Sequence, residues 1–295
     1  MPRAKSKESQ PSLPKLTSET DIFHQAVRHW WNSKQPAGAK RSAGKQGGAR
    51  DANLHGKTMD GFAEQLRGFL VGLGVKSEHI FLGGHLSTAP SILPSYFRPS
   101  KNWDLIVLGS SRFHPAPGDE GDPVLYAAVE FKSQDKSIGN NQNNRLEESI
   151  GNAHDFWVTY AQSGFVRQQP RPWLGYLFVG NYKEDSDNKP VQIKQPHFLA
   201  MELFRGKNEN TDKPVFAGPS YSERYRLFLK QSVGARLYDS GVFIVTDDGI
   251  AMKRTNHRIP LAEFGPANFL RSLKAQILAH YPGASIKPNT LAALI

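Results

Sequence analysis

The chain has 295 residues, 38% of them hydrophobic and 22% charged, enough for one large domain or two small ones with a sizeable core. No apolar run is long enough to cross a bilayer, and the opening MPRAKSKESQPSLPK lacks the apolar centre of a secretory signal, so the expected location is the cytoplasm; the absence of cysteine excludes disulfides, thiolate metal sites and a cysteine nucleophile. The net charge is +10, and residues 1–50 hold ten Lys or Arg against three acids, a distribution that fits a polyanionic partner as well as a solvated tail.

Residues 1–17, rich in Lys, Ser and Pro, read as a disordered basic leader ahead of a single domain over 18–285. Ser18 with Asp21 reads as the N-cap of a helix whose apolar face is Ile22, Phe23, Ala26, Val27, Trp30 and Trp31. Between 33 and 57 glycines alternate with Lys40, Arg41, Lys45, Arg50 and Lys57, a flexible basic linker that could order along a phosphate backbone. A second helix carries Phe62, Leu66, Phe69, Leu70 and Leu73.

Short apolar runs bounded by Gly, Pro and Asp then predict strands at His79–Leu82, Trp103–Leu108, Val124–Phe131 and Trp173–Val179. An Asn-rich loop and a helix from Arg145 to about Gln162 separate the last two, with Leu146, Ile150, Ala153, Trp157 and Tyr160 as the helix's apolar face. Ser220 and Glu223 form a capping box for a helix with Tyr225, Phe228 and Leu229 that Gly234 closes. A strand at Val242–Thr246, a helix from about Pro266 to His280 and a tail over 286–295 complete the chain. This order argues for an α/β or α+β domain around a central sheet.

The chemistry concentrates between residues 101 and 145. Asp104 opens one strand, in KNWDLIVLG, and the next strand ends in VEFKSQ. Side chains alternate along a strand, so Val124, Tyr126, Ala128, Glu130 and Lys132 share one face, apolar at first and polar at its end. Pairing of the two strands would put Asp104 beside Glu130. Two carboxylates suit Mg²⁺, which takes oxygen ligands and keeps several waters. A lysine two residues on could orient a water and hold charge developing on a phosphate. The bland alternative is a surface salt bridge at a strand end.

In SIGNNQNNRLEES, Asn144 and Glu147 have the spacing of a helix cap. Asn140, Asn141, Asn143 and Arg145 remain candidates for DNA contact, since Asn can read adenine and Arg guanine through paired hydrogen bonds. Asp60 and Glu64, one turn apart on the second helix, could reach a metal or simply favour the helix dipole. His154 beside Asp155 has no second histidine at i+4, which argues against zinc.

KNWDLIVLG, AAVEFKSQ and GNNQNNRLEESIGNAHD together resemble the XhoI-type restriction endonucleases, with support from MDGF, PSYFRP, PWLGYL, PHF and SYSERY in the same order. The resemblance covers about residues 20–240. It implies a restriction-endonuclease-like core of the PD-(D/E)XK nucleases, a central mixed β-sheet flanked by helices, and cleavage of duplex DNA with Mg²⁺. By that pattern Asp104 and Glu130 hold the metal and Lys132 is the motif lysine, while Trp103 stands where the motif has proline. The resemblance also implies the palindromic site CTCGAG, products with 5′ phosphates, a twofold homodimer and a companion DNA methyltransferase acting on the same site. Two alternatives stay open: a repair or structure-selective nuclease with the same metal site, and a non-cleaving DNA-binding protein.

Overall fold

The five segments with strand patterning pair, together with a short sixth strand at His257–Arg258, into a six-stranded sheet, and the helical segments cover both of its faces. The computed structural model of the chain describes residues 22–33, 57–86, 91–109, 124–135, 138–165, 170–181, 190–192, 217–246, 257–258 and 262–295. The basic leader, the Ser18 cap with Asp21, and residues 34–56 of the expected linker lie outside the described residues.

The sheet consists of β1 (Ile80–Leu82), β4 (Leu105–Leu108), β5 (Leu125–Gln134), β6 (Trp173–Asn181), β9 (Ser240–Thr246) and β10 (His257–Arg258), side by side in that order. Pairs β5–β6 and β6–β9 are parallel and the others antiparallel, so the sheet is mixed. Two small antiparallel pairs stand apart from it: β2 (Ile92–Pro94) with β3 (Ser100–Asn102), and β7 (Pro190–Gln192) with β8 (Ala217–Ser220).

The central strands are buried on both faces, as strands in a parallel arrangement between helices must be. On one face lie α1 (His24–Asn32), α2 (Asp60–Gly72), α5 (Pro266–His280) and α6 (Leu291–Leu294), packed on Leu105, Val107, Ala127, Val129 and Leu177. On the other lie α3 (Ile138–Ala161) and α4 (Tyr221–Gly234), whose Ala153, Phe156, Tyr225, Phe228 and Leu229 meet Ile106, Ala128, Leu174, Tyr176 and Phe243. Each fully buried large side chain, such as Trp30, Phe62 or Phe243, contributes on the order of 1.5–3 kcal/mol. All six apolar positions expected on the first helix are buried, and Trp31 donates from Nε1 to Thr246 Oγ1 at 3.0 Å, tying α1 to β9. Residues 286–295 fold back along α2, with Ala292 buried and its carbonyl accepting from Lys274 Nζ at 2.9 Å. Among the described residues no helix is long and apolar enough to cross a membrane.

Three local expectations need correction. First, α3 begins at Ile138 and not at Arg145, so Asn140, Asn141, Asn143 and Asn144 are helical and Asn144 is no N-cap. The early start has a tertiary cause: Gln142 is fully buried, donates to the Tyr221 carbonyl at 2.7 Å and accepts from Arg224 Nη1 at 2.9 Å. These bonds to α4 outweigh the poor helix propensity of asparagine. Second, Ile150 is exposed, because the buried stripe of α3 runs through Gln142, Ser149, Asn152, Ala153, Phe156 and Thr159. Third, β5 does not alternate throughout. Its pairing with β4 shifts by one residue between Val107 and Leu108, leaving Tyr126 as the extra residue of a β-bulge. Tyr126 therefore turns to the α2 side together with Ala127, and Leu125 shares the face of Glu130.

Candidate active site

Antiparallel pairing of Leu105 with Val129 brings Asp104, just ahead of β4, against the middle of β5. Its Oδ2 accepts from the Phe131 N–H at 2.7 Å, and its carbonyl accepts from Gly83 N–H at 2.9 Å. Gly83 is required there: an ideal Cβ would lie 2.2 Å from the Trp103 carbonyl oxygen, so any side chain would displace the segment that carries Asp104. Glu130, three residues beyond Ala127 and past the bulge, points toward α3. The pairing predicted for these two carboxylates is what the fold delivers.

Glu130 is 1% exposed and fully engaged. Oε1 lies 3.1 Å from Lys132 Nζ and 3.6 Å from Lys101 Nζ, and accepts from Asn152 Nδ2 at 2.5 Å. Oε2 accepts from the Tyr238 hydroxyl at 2.7 Å. Burial alone would push this carboxyl up, but Lys101 and Lys132, with the Tyr238 hydrogen bond, overcome it and hold its pKa below the ordinary value. Lys132 shows the reverse balance. Burial opposes its charge, yet Glu130, with Glu148 at 3.3 Å, raises its pKa and favours the ammonium form. Burial and the charge of Glu130 keep the Tyr238 phenol well above its ordinary pKa, which leaves the hydroxyl a donor.

Asp104 differs from its neighbour. Burial pushes its carboxyl up to about 6; the Phe131 N–H works against this and the charge of Glu130 adds to it. Burial, more than the neighbouring Glu130, makes the Asp104 charge costly, a cost that a divalent cation would relieve. Among the described residues no group of three or more His, Asp or Glu gathers to hold a metal. Asp104 and Glu130 offer carboxylate oxygens, hard donors of the kind a divalent cation such as Mg²⁺ would take. Neither Asp60 nor Glu64 is among the partners of Glu130: Glu64 pairs with Arg67 at 3.6 Å, and α2 covers the opposite face of the sheet.

The recognition candidates separate. Asn140 lies in the first turn of α3. Asn143 accepts from Arg224 Nη2 at 2.7 Å, so its oxygen serves to join α3 to α4. Asn141, Asn144, Arg145 and Glu148 follow i, i+3, i+4, i+7 spacing and form one outward stripe, with Arg145 half-buried and the others exposed. Glu148 joins that stripe to Lys132, so the stripe leads into the site. Asn144, assigned from sequence to capping, belongs to it.

Sequence reasoning missed Lys101, Asn152 and Tyr238. Asn152 had a legible signal, a polar residue on the apolar stripe of a helix. Lys101 reaches Glu130 from β3, with its Nζ also 4.5 Å from the centre of the Trp103 ring, and Tyr238 arrives from 108 positions away. Neither carries a local signature.

Residues 38–256 match the family model described as restriction endonuclease XhoI. Type II restriction enzyme BstVI of Geobacillus stearothermophilus is 38% identical over 211 residues, covering 70% of this chain and 82% of that one. Type II restriction enzyme AbrI of Azospirillum brasilense is 35% identical over 183 residues (61% and 74%), and type II restriction enzyme XhoI of Xanthomonas vasicola 31% over 208 (70% and 72%). No solved structure matches the chain significantly. The match spans both carboxylates, the lysine and the helix that holds Glu130 and Lys132: this chain belongs to the XhoI family of restriction endonucleases, enzymes that cut DNA at specific sites.

Proposed function

We propose that the protein is a Mg²⁺-dependent endonuclease that cuts duplex DNA at the palindrome CTCGAG and leaves 5′ phosphates. The observation that carries the metal-dependent reading is the pairing of Asp104 with Glu130 across β4 and β5, with Lys132 held as an ammonium at Glu130. Asp104 and Glu130 would hold the cation, which supplies a water of lowered pKa and neutralises charge on the phosphate. The chain's own groups do the rest. Lys101, Asn152 and Tyr238 fix the Glu130 carboxylate in one orientation and keep it ionised. A water would attack phosphorus in line and lose its proton to solvent, the bond to the 3′ oxygen would break with that oxygen taking a proton from solvent, and the Lys132 ammonium would stabilise charge on the non-bridging oxygens.

The site CTCGAG rests on the family resemblance of KNWDLIVLG, AAVEFKSQ and GNNQNNRLEESIGNAHD. A palindrome is read by equivalent half-sites, so the reading includes a twofold homodimer. It also includes a companion methyltransferase that protects the same sequence in the host. The stripe of Asn141, Asn144 and Arg145 would supply base contacts, with Asn140 and Asn143 at its edge, and the basic residues 1–50 would supply phosphate contacts.

Two plasmids that differ by a single CTCGAG test this, digested with Mg²⁺ and with EDTA. Cutting confined to the CTCGAG plasmid, and only with Mg²⁺, is the expected result. Discrete cutting of both plasmids would discard the assigned sequence alone. Cleavage undiminished in EDTA would discard the metal assignment, and preference for branched or damaged DNA would replace restriction by repair.

A further inference from the structure

The turn between β2 and β3 exposes two adjacent large aromatics, Tyr96 at 56% and Phe97 at 65%. Exposed apolar area of this size, gathered at one tip, marks a contact surface more often than a scattered surface residue does. The exposure is built in. Buried Asp155 accepts from the backbone N–H groups of Tyr96 at 2.8 Å and Phe97 at 3.1 Å, and from Arg98 Nε at 3.0 Å. The two rings meet edge to face at 5.0 Å, and Phe97 stacks on His154 with centroids 5.9 Å apart and planes 14° from parallel. A buried carboxylate is thus devoted to holding an aromatic tip out in solvent.

The tip is also joined to the candidate active site. Arg98 Nη2 donates to Asn152 Oδ1 at 2.7 Å, and Asn152 donates to Glu130. The same hairpin carries Lys101, 3.6 Å from Glu130. Residues 91–103 include Arg98 and Lys101 and no acid, and both cations are paired inside the molecule, Arg98 with Asp155 at 3.0 Å and Lys101 with Glu130 at 3.6 Å. A rigid, exposed aromatic pair on the hairpin that reaches Glu130 suits a nucleic acid, whose bases offer flat faces to the rings. A protein partner would satisfy the rings but not the placement two hydrogen bonds from Glu130.

We propose that residues 95–99 form an aromatic finger that stacks on bases of the DNA next to the scissile phosphate, which rests on the endonuclease reading above. A ring that enters a base step unstacks it and bends the duplex, and Arg98 ties that event to the side chain orienting Glu130. Asp155 and His154, a helical pair without a metal-binding pattern in the sequence, gain a role as the finger's mount.

The test uses the full-length protein and a duplex carrying the site that the wild type cleaves, with 2-aminopurine beside the scissile phosphate, in Ca²⁺ in place of Mg²⁺. Binding of the wild type should raise 2-aminopurine fluorescence. The double variant Tyr96→Ser, Phe97→Ser should bind about tenfold or more weakly and give no rise, whereas Phe97→Trp should keep both readouts. Wild-type affinity and fluorescence change in the double variant would overturn the finger while leaving the endonuclease intact. A double variant that sediments as a smaller species would overturn it too, making the tip a contact between copies. If the wild type cleaves no DNA at all, the endonuclease reading fails first, and the finger with it.

Discussion

Asp104 and Glu130 stand side by side, yet replacing each by its amide should shift stability in opposite directions. The Asp104 carboxyl is pushed from an ordinary 3.8 up to about 6 by burial and by Glu130, against the Phe131 hydrogen bond. About two pH units correspond to roughly 3 kcal/mol, the cost of keeping this group ionised in the folded protein. Its folded pKa lies above the unfolded one, so its stabilising contribution is complete below about pH 4 and is lost as pH rises through about 6. Asp104→Asn abolishes the charge but retains an oxygen for the Phe131 N–H. The metal-free variant should therefore be more stable than wild type by about 1–3 kcal/mol near pH 8, with the gap closing toward about pH 4. Glu130 has a lowered pKa, so its contribution is present above the unfolded value of 4.5 and is lost as pH falls through the lower folded one. Glu130→Gln leaves two ammonium groups around a neutral amide and should destabilise by about 3 kcal/mol near pH 8. Urea unfolding in EDTA at several pH values measures both. A variant Asp104→Asn that is no more stable than wild type near pH 8, or whose advantage ignores pH, would refute this account of the site. Added Mg²⁺ should raise the melting temperature of the wild type and leave that of Asp104→Asn unchanged.

Glu130→Gln should also abolish cleavage while leaving DNA affinity largely intact, in a paired nicking and gel-shift measurement; wild-type turnover would remove Glu130 from the site. Tyr238→Phe deletes the hydroxyl at 2.7 Å from Glu130 Oε2, and a bond to a charged group is worth about 1.5–3 kcal/mol. Single-turnover cleavage should slow by about tenfold with DNA affinity unchanged, and an unaltered rate would mean that Asn152 and the lysines suffice to orient the carboxylate. Arg145→Ala should weaken binding to the cognate duplex more than to a scrambled one. Equal losses in a competition titration would assign Arg145 to phosphate or to packing against α4.

Strands β1, β4, β5, β6 and β9 and the nearness of the two carboxylates were legible because short apolar runs and a charged ending to an apolar strand are local signals, whereas the short strands β2, β3, β7, β8 and β10 and the order within the sheet were not. Helix α5, expected from about Pro266 to His280, was legible because Pro266 suits a first helical position and the apolar spacing runs on to its end. The start of α3 was not: four asparagines in five positions read as loop, and only the buried bonds of Gln142 to α4 explain why they wind into a helix. The environment of Glu130 was hidden for a similar reason. Lys101, Asn152 and Tyr238 come from a hairpin, a helix and the segment after α4, and nothing in their own neighbourhoods marks them as convergent.

The extra residue at Tyr126 divides β5 into two stretches that tolerate length changes differently. An insertion or deletion of one residue between Val124 and Tyr126 can be absorbed by losing or enlarging the bulge, with the far end of the strand unmoved. The same event between Ala127 and Lys132 reverses every following side chain, swinging Glu130 and Lys132 into the apolar layer beneath α2 and emptying the site. The first residues of β5 are thus free to drift in number over evolutionary time, while six consecutive residues of the same strand are held to a fixed count.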